Sequence, residues 1–127
     1  MMKEILFKGK RVDNDEWVYG FLTCMNYIDV FTQKVCYDGE EELKYCTVEH
    51  CQVDAHTVGQ YTGLTDKNGK KIFEGDIVES PHGTQGVVEW QNAECAFLVN
   101  IGDDWQTMDN CPYEVVGNIY DNKGYEK

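Results

Sequence analysis

One stretch decides the fold: Thr57-Val58-Gly59-Gln60-Tyr61-Thr62-Gly63-Leu64-Thr65-Asp66-Lys67-Asn68-Gly69-Lys70-Lys71-Ile72-Phe73-Glu74-Gly75-Asp76-Ile77-Val78. It alternates glycines with β-branched and aromatic residues, the composition of short strands separated by turns. Asn68-Gly69 predicts a type I′ β-hairpin, in which both central residues need a positive φ. Gly75-Asp76 predicts a turn before a strand, with Gly75 at positive φ and Asp76 accepting a backbone N–H. We interpret the stretch as a joining segment, a hairpin and the start of a strand.

The glycines of this stretch do not form a phosphate loop, because the spacing G-x-x-x-x-G-K-[ST] is absent and no helical pattern follows. We expect an extended segment from Gly59 to Leu64 that joins two lobes. Structural roles are therefore assigned to the following residues: Gly59, Gln60, Tyr61, Thr62, Gly63, Asn68, Gly69, Gly75, Asp76 and Gly117.

The rest of the chain also favours strands. Its 127 residues are 42% hydrophobic and 13% aromatic, which is typical of a packed, β-rich domain. We predict a mainly β protein with minor α, divided into a β-rich N-terminal lobe (1–56) and a second lobe (57–127). A helical turn is compatible with Val48–Val58. In the second lobe, five β-like runs at roughly ten-residue spacing predict a small barrel or sandwich.

Charge excludes some partners. The chain carries 11 Lys and Arg against 23 Asp and Glu, a net charge of −12 spread over both halves. Such a surface repels a phosphate backbone, so nucleic-acid binding is disfavoured, whereas a basic protein partner is compatible with it. No apolar run is long enough for a membrane span, and the N-terminus does not resemble a signal peptide. We expect a cytoplasmic protein with reduced cysteines.

The best metal-ligating constellation is Cys46, His50, Cys51 and His56. Its spacing, C-x3-H-C-x4-H, matches no common zinc finger, and the adjacent His50 and Cys51 would point apart on a strand. On a helix, however, Cys46 and His50 would share a face. We expect no cofactor and no catalytic residues, and keep a small metal-dependent or Cys/His enzyme as the alternative function.

The aromatic side chains offer a second kind of site. Core packing is the default for aromatics in alternating strands, here Trp17, Tyr19, Phe21, Trp90, Phe97 and Trp105. A small barrel can also leave an aromatic groove open for a peptide. Trp90 or Trp105, beside Asp103 and Asp104, would then suit a Lys- or Arg-bearing partner.

Several motifs resemble the YopX family. They are Phe7-Lys8-Gly9-Lys10-Arg11-Val12 with Glu16-Trp17-Val18-Tyr19-Gly20, the stretch Thr57–Val78, and Val116-Gly117-Asn118-Ile119-Tyr120. Ala55 stands where the family tends to have proline. The resemblance implies an origin in phages or prophages of Gram-positive bacteria and a β-rich fold ending in an SH3-like barrel. It implies no catalytic residues.

The expected function is therefore non-enzymatic: an accessory protein that binds a protein partner, basic or host-derived, or modulates the host. A homo-oligomer is compatible with this expectation. The alternatives are the small enzyme and a nucleic-acid-associated barrel, which the net charge of −12 disfavours.

Overall fold

The computed structural model describes residues 5–39, 41–102, 104–108 and 112–121. For residues 32–38 and 41–47 it describes the backbone but not the side chains. Within these ranges the chain forms ten strands: β1 (Phe7–Arg11), β2 (Trp17–Cys24), β3 (Tyr27–Asp38), β4 (Glu41–Thr65), β5 (Lys71–Phe73), β6 (Asp76–Glu79), β7 (Gln85–Gln91), β8 (Ala96–Asn100), β9 (Trp105–Gln106) and β10 (Glu114–Asn118). The mainly β prediction is confirmed. The described part of the chain contains no helix, and so none that could cross a membrane.

The sequence left Val48–Val58 ambiguous, with a helical turn possible, and the structure places these residues inside β4. Cys51 and Val53 are buried, while His50 and Gln52, which alternate with them along the strand, are exposed. This period of two is that of a strand with one buried face. Here β4 forms its backbone hydrogen bonds with β3, where Cys51 pairs with Ile28. A helical turn would form them among its own residues.

The chain divides into two compact units, Leu6–Val58 and Gly59–Lys127 with Met1–Ile5. In the first unit, β1, β2, β3 and β4 pair antiparallel in chain order, and β1 also pairs with β4. Its buried side chains include Ile28, Cys51 and Val53. Gly20 marks a close approach of two strands, because a Cβ there would overlap the carbonyl oxygen of Asp29.

The second unit contains an antiparallel sheet in the order β10-β6-β7-β8-β9. The five strands predicted for this half of the chain are all present. Their core consists of Ile72, Val78, Val88, Val99, Met108 and Tyr113. A register shift between Val115 and Gly117 places a bulge in β10. No pairing of β9 with β10 closes the sheet within the described residues, so the SH3-like barrel stays a prediction.

The stretch that links the strands of this half follows the expected plan with one difference. β4 continues through Gly59–Leu64 as an extended segment, and Tyr61 pairs with Phe73 of β5. The Asn68-Gly69 hairpin is present, but Gly69 has φ 85° and Asn68 is not among the residues with positive φ. The turn is therefore not type I′. Gly69 N–H donates to the Asp66 carbonyl at 3.0 Å, the pattern of a longer hairpin loop with a left-handed glycine at its end.

Two aspartates hold the ends of this hairpin. The buried Asp66 carboxylate accepts N–H bonds from Asn68 (2.8 Å), Lys70 (2.9 Å) and Val115 (3.0 Å). Burial alone would raise the pKa of Asp66, but these three donors hold it below its ordinary value. At the other end, Gly75 has φ 91° and Asp76 accepts the Phe73 N–H at 2.8 Å, as predicted.

Candidate functional site

A small cavity of about 250 Å³ lies in the second unit and is lined by Gln60, Glu74, Trp90 and Phe97. We call it the aromatic–carboxylate pocket. Two features bring these distant residues together. The Glu74 N–H donates to the Gln60 carbonyl at 2.9 Å, and Trp90 of β7 pairs with Phe97 of β8.

The aromatic wall of the pocket has a defined geometry. The rings of Trp90 and Phe97 meet edge to face, with centroids 5.0 Å apart and planes at 71°. The Trp90 indole N–H donates to the Asn92 side-chain oxygen at 2.6 Å, which fixes the ring. Trp90 is nevertheless 46% exposed. A large, oriented π surface is therefore open to solvent.

Glu74 supplies the charge of the pocket. Burial raises the pKa of Glu74 above its ordinary value, and the negative charge of Glu89 acts in the same direction. Backbone N–H groups of Gln60 and Trp90 oppose this rise by hydrogen bonding to the carboxylate. No ion pair to Glu74 is formed by any residue that the structure describes.

A half-buried carboxylate in the same pocket as an exposed tryptophan ring is a suitable site for a cation. The ring quadrupole attracts a positive charge, and the attraction grows as water is excluded. A cationic group would also offset the desolvation that burial imposes on Glu74. The pocket is too small for a nucleotide or a large cofactor, but a Lys or Arg side chain could enter it.

The structure places the two alternative tryptophans of the predicted groove on opposite faces of the sheet. Val88 pairs with Val99, which pairs with Gln106, so these three residues share one face of the sheet. Trp90 lies two residues after Val88 and shares that face, whereas Trp105 lies one residue before Gln106 and is on the opposite face. The two rings are therefore alternatives, and Trp90 is the one that lines the aromatic–carboxylate pocket.

The acidic residues predicted beside the aromatic groove were Asp103 and Asp104, whereas the carboxylate that lines the pocket is that of Glu74. Asp103 lies outside the described residues, and the Asp104 carboxylate accepts the N–H of Trp105 at 2.8 Å. The sequence interpretation missed Gln60 as a pocket residue and missed Glu74 altogether. The available signal was that Glu74 precedes the Gly75-Asp76 turn between two strands, where a side chain is held rigidly.

The proposed metal ligands are not assembled in the part of the chain that the structure describes. Cys51 is buried and the adjacent His50 is exposed, so the two point to opposite faces of β4. Nδ1 of His50 contacts the Asp29 carboxylate, and its ring stacks on Tyr27 with centroids 4.4 Å apart. His56 is exposed, and the side chain of Cys46 lies outside the described set.

The described residues define a mainly β protein with antiparallel sheets and a pocket that combines aromatic rings with a carboxylate. Comparison with family models identifies it further: the model described as YopX protein matches residues 6–124. The chain belongs to the YopX family. Comparison with curated proteins found no match.

Proposed function

We propose that this protein is a non-enzymatic interaction protein that binds a Lys- or Arg-bearing segment of a protein partner in the aromatic–carboxylate pocket. The observation that supports this proposal is the half-buried Glu74 carboxylate beside the exposed Trp90 ring. A cytoplasmic location and a phage or prophage origin are parts of the same proposal.

The overall charge supports the same class of partner. With a net charge of −12, the protein attracts basic segments over a distance of about one Debye length, roughly 10 Å at 0.1 M salt. The pocket would then supply orientation, since its carboxylate and ring are already held by backbone and side-chain hydrogen bonds.

The test uses capped peptides that differ only at a central Arg, Lys or norleucine, titrated into ¹⁵N-labelled protein. We expect the Arg and Lys peptides to shift the indole N–H resonance of Trp90, and the norleucine peptide to leave it in place. The Trp90→Ala variant should lose binding. Glu74→Gln should weaken it at least about fivefold, because a neutral amide keeps the shape but not the charge.

Two matched controls make the outcome specific. Trp105→Ala removes an exposed tryptophan from the opposite face, and Glu94→Gln neutralises an exposed carboxylate outside the pocket. Both should bind like the unmodified protein. Because burial raises the pKa of Glu74, binding should decline on acidification before an ordinary exposed glutamate would be protonated. An equal response to norleucine, or unchanged binding by Glu74→Gln, would refute the proposal.

A further inference from the structure

The aromatic wall of the aromatic–carboxylate pocket is oriented before any ligand arrives. The indole N–H of Trp90 donates to Asn92 at 2.6 Å, so the exposed ring contributes its π surface to a ligand and not its N–H group. Phe97 meets this ring at 71° and forms a corner with it. A planar guanidinium can stack on an aromatic ring, whereas an ammonium acts on it only as a compact point charge.

The Glu74 carboxylate has acceptor positions left for a ligand. Its two oxygens offer about four lone-pair positions. Backbone N–H groups of Gln60 and Trp90 occupy two of them. No residue within the described ranges forms an ion pair with this carboxylate. A group that donates two hydrogen bonds at once would therefore complete it, and a guanidinium does so with its rigid fork of N–H donors.

The burial of Glu74 further separates the two basic side chains. Burial raises the pKa of the Glu74 carboxyl above its ordinary value, because the charged form has lost part of its hydration. A cation that binds beside this carboxylate also has to lose water. Since a guanidinium is more weakly hydrated than an ammonium, arginine enters such a site with less desolvation than lysine.

We infer that the aromatic–carboxylate pocket selects arginine over lysine, with the guanidinium stacked on Trp90 and two of its N–H groups donated to the oxygens of Glu74. This inference rests on the proposed function and names the side chain that the partner presents. The net charge of −12 attracts either cation, so the preference comes from the pocket itself. Glu74 and Trp90 determine it together, since the carboxylate receives the fork and the ring sets its plane.

The test is isothermal titration calorimetry of the full chain with capped peptides that differ only at one central residue: arginine, lysine or citrulline. We expect the arginine peptide to bind at least about tenfold more tightly than the lysine peptide, the effect of about one further hydrogen bond to a charged group. Citrulline keeps the planar shape of arginine without its charge, and its peptide should bind no more tightly than the lysine peptide.

A matched pair of variants shows whether the fork produces the preference. Glu74→Asp keeps the charge but withdraws the carboxylate by one methylene, so the ratio of the lysine and arginine Kd values should fall to within about twofold. Glu94→Asp makes the same change at an exposed position outside the pocket and should keep the full ratio. Both peptides are compared on the same protein, so a partial loss of stability in a variant leaves this ratio unchanged.

The outcomes separate this inference from the proposed function. Equal affinity for the arginine and lysine peptides, or an arginine preference that Glu74→Asp keeps in full, would overturn the inference and leave the proposed function in place. A citrulline peptide that binds as tightly as the arginine peptide would also overturn it, because stacking without charge would then suffice. Binding of neither basic peptide would refute both.

Discussion

Replacement of Asp66 by alanine tests how far one buried carboxylate holds the second unit together. Asp66 is only 6% exposed and accepts three backbone N–H bonds. A hydrogen bond to a charged group contributes about 1.5–3 kcal/mol, but water can replace the carboxylate at the two donors in the loop. We therefore expect a loss of about 3 kcal/mol in the free energy of unfolding, equivalent to roughly 10 °C in Tm.

The assay is urea unfolding followed by tryptophan fluorescence in a Trp17→Phe background. The remaining tryptophans, Trp90 and Trp105, both lie in the second unit and report on its unfolding. Asp66→Asn keeps one acceptor oxygen and should lose about half as much stability. Asp104→Ala, whose carboxylate accepts a single exposed N–H, is the matched control and should change stability by less than about 0.5 kcal/mol.

The pH dependence gives a second test of the same carboxylate. Its pKa is lowered on folding, so its contribution is fully present above the unfolded value of about 4 and is lost as the pH falls through the folded value. The stability difference between the unmodified protein and Asp66→Ala should therefore shrink only in acid. An Asp66→Ala variant as stable as Asp104→Ala at neutral pH would refute this account of the hairpin.

Two further predictions concern packing. In urea unfolding, Gly59→Ala should lower the free energy of unfolding by more than about 2 kcal/mol, because the added Cβ would overlap the Glu74 carbonyl oxygen. Gly63→Ala should lower it by only about 1 kcal/mol, because its Cβ would meet open space and only the φ of 91° imposes strain. Equal losses would contradict the close approach. Burial raises the pKa of the Cys51 thiol, so mass-spectrometric mapping should find it alkylated far more slowly than the exposed Cys24 and Cys95. Alkylation of Cys51 at their rate would show that it is accessible.

Much of the fold was predictable from local residues. The five strands of the second half, the Asn68-Gly69 hairpin and the Gly75-Asp76 turn follow from glycine, aspartate and β-branched residues whose preferences act over a few positions. The hairpin type was wrong, because the turn also depends on Asp66, whose carboxylate accepts the N–H groups of Asn68 and Lys70 and favours a longer loop. The local pattern at Val48–Val58 left strand and helical turn open, and pairing of β4 with β3 decided for the strand.

The candidate site was predictable only in part. Trp90 was proposed from its aromatic character beside charged residues, but its carboxylate partner was placed at Asp103 and Asp104. The carboxylate that lines the pocket with Trp90 is that of Glu74, which is distant in sequence and lies near Trp90 because of contacts between strands. No spacing rule connects these positions.

By itself, the sequence determined that this is a mainly β protein with a net charge of −12, because strand periodicity, turn chemistry and net charge are local or additive properties. Its motifs also carried the resemblance to the YopX family, which the family model matches over residues 6–124. The tertiary structure decided which side of each strand is buried. Trp17-Val18-Tyr19-Gly20-Phe21-Leu22 is apolar at both alternating sets of positions, so periodicity alone cannot say which set faces the core. Strand pairing turned Tyr19 and Phe21 outward and brought Glu74 beside Trp90, because register and sheet order depend on contacts between distant residues.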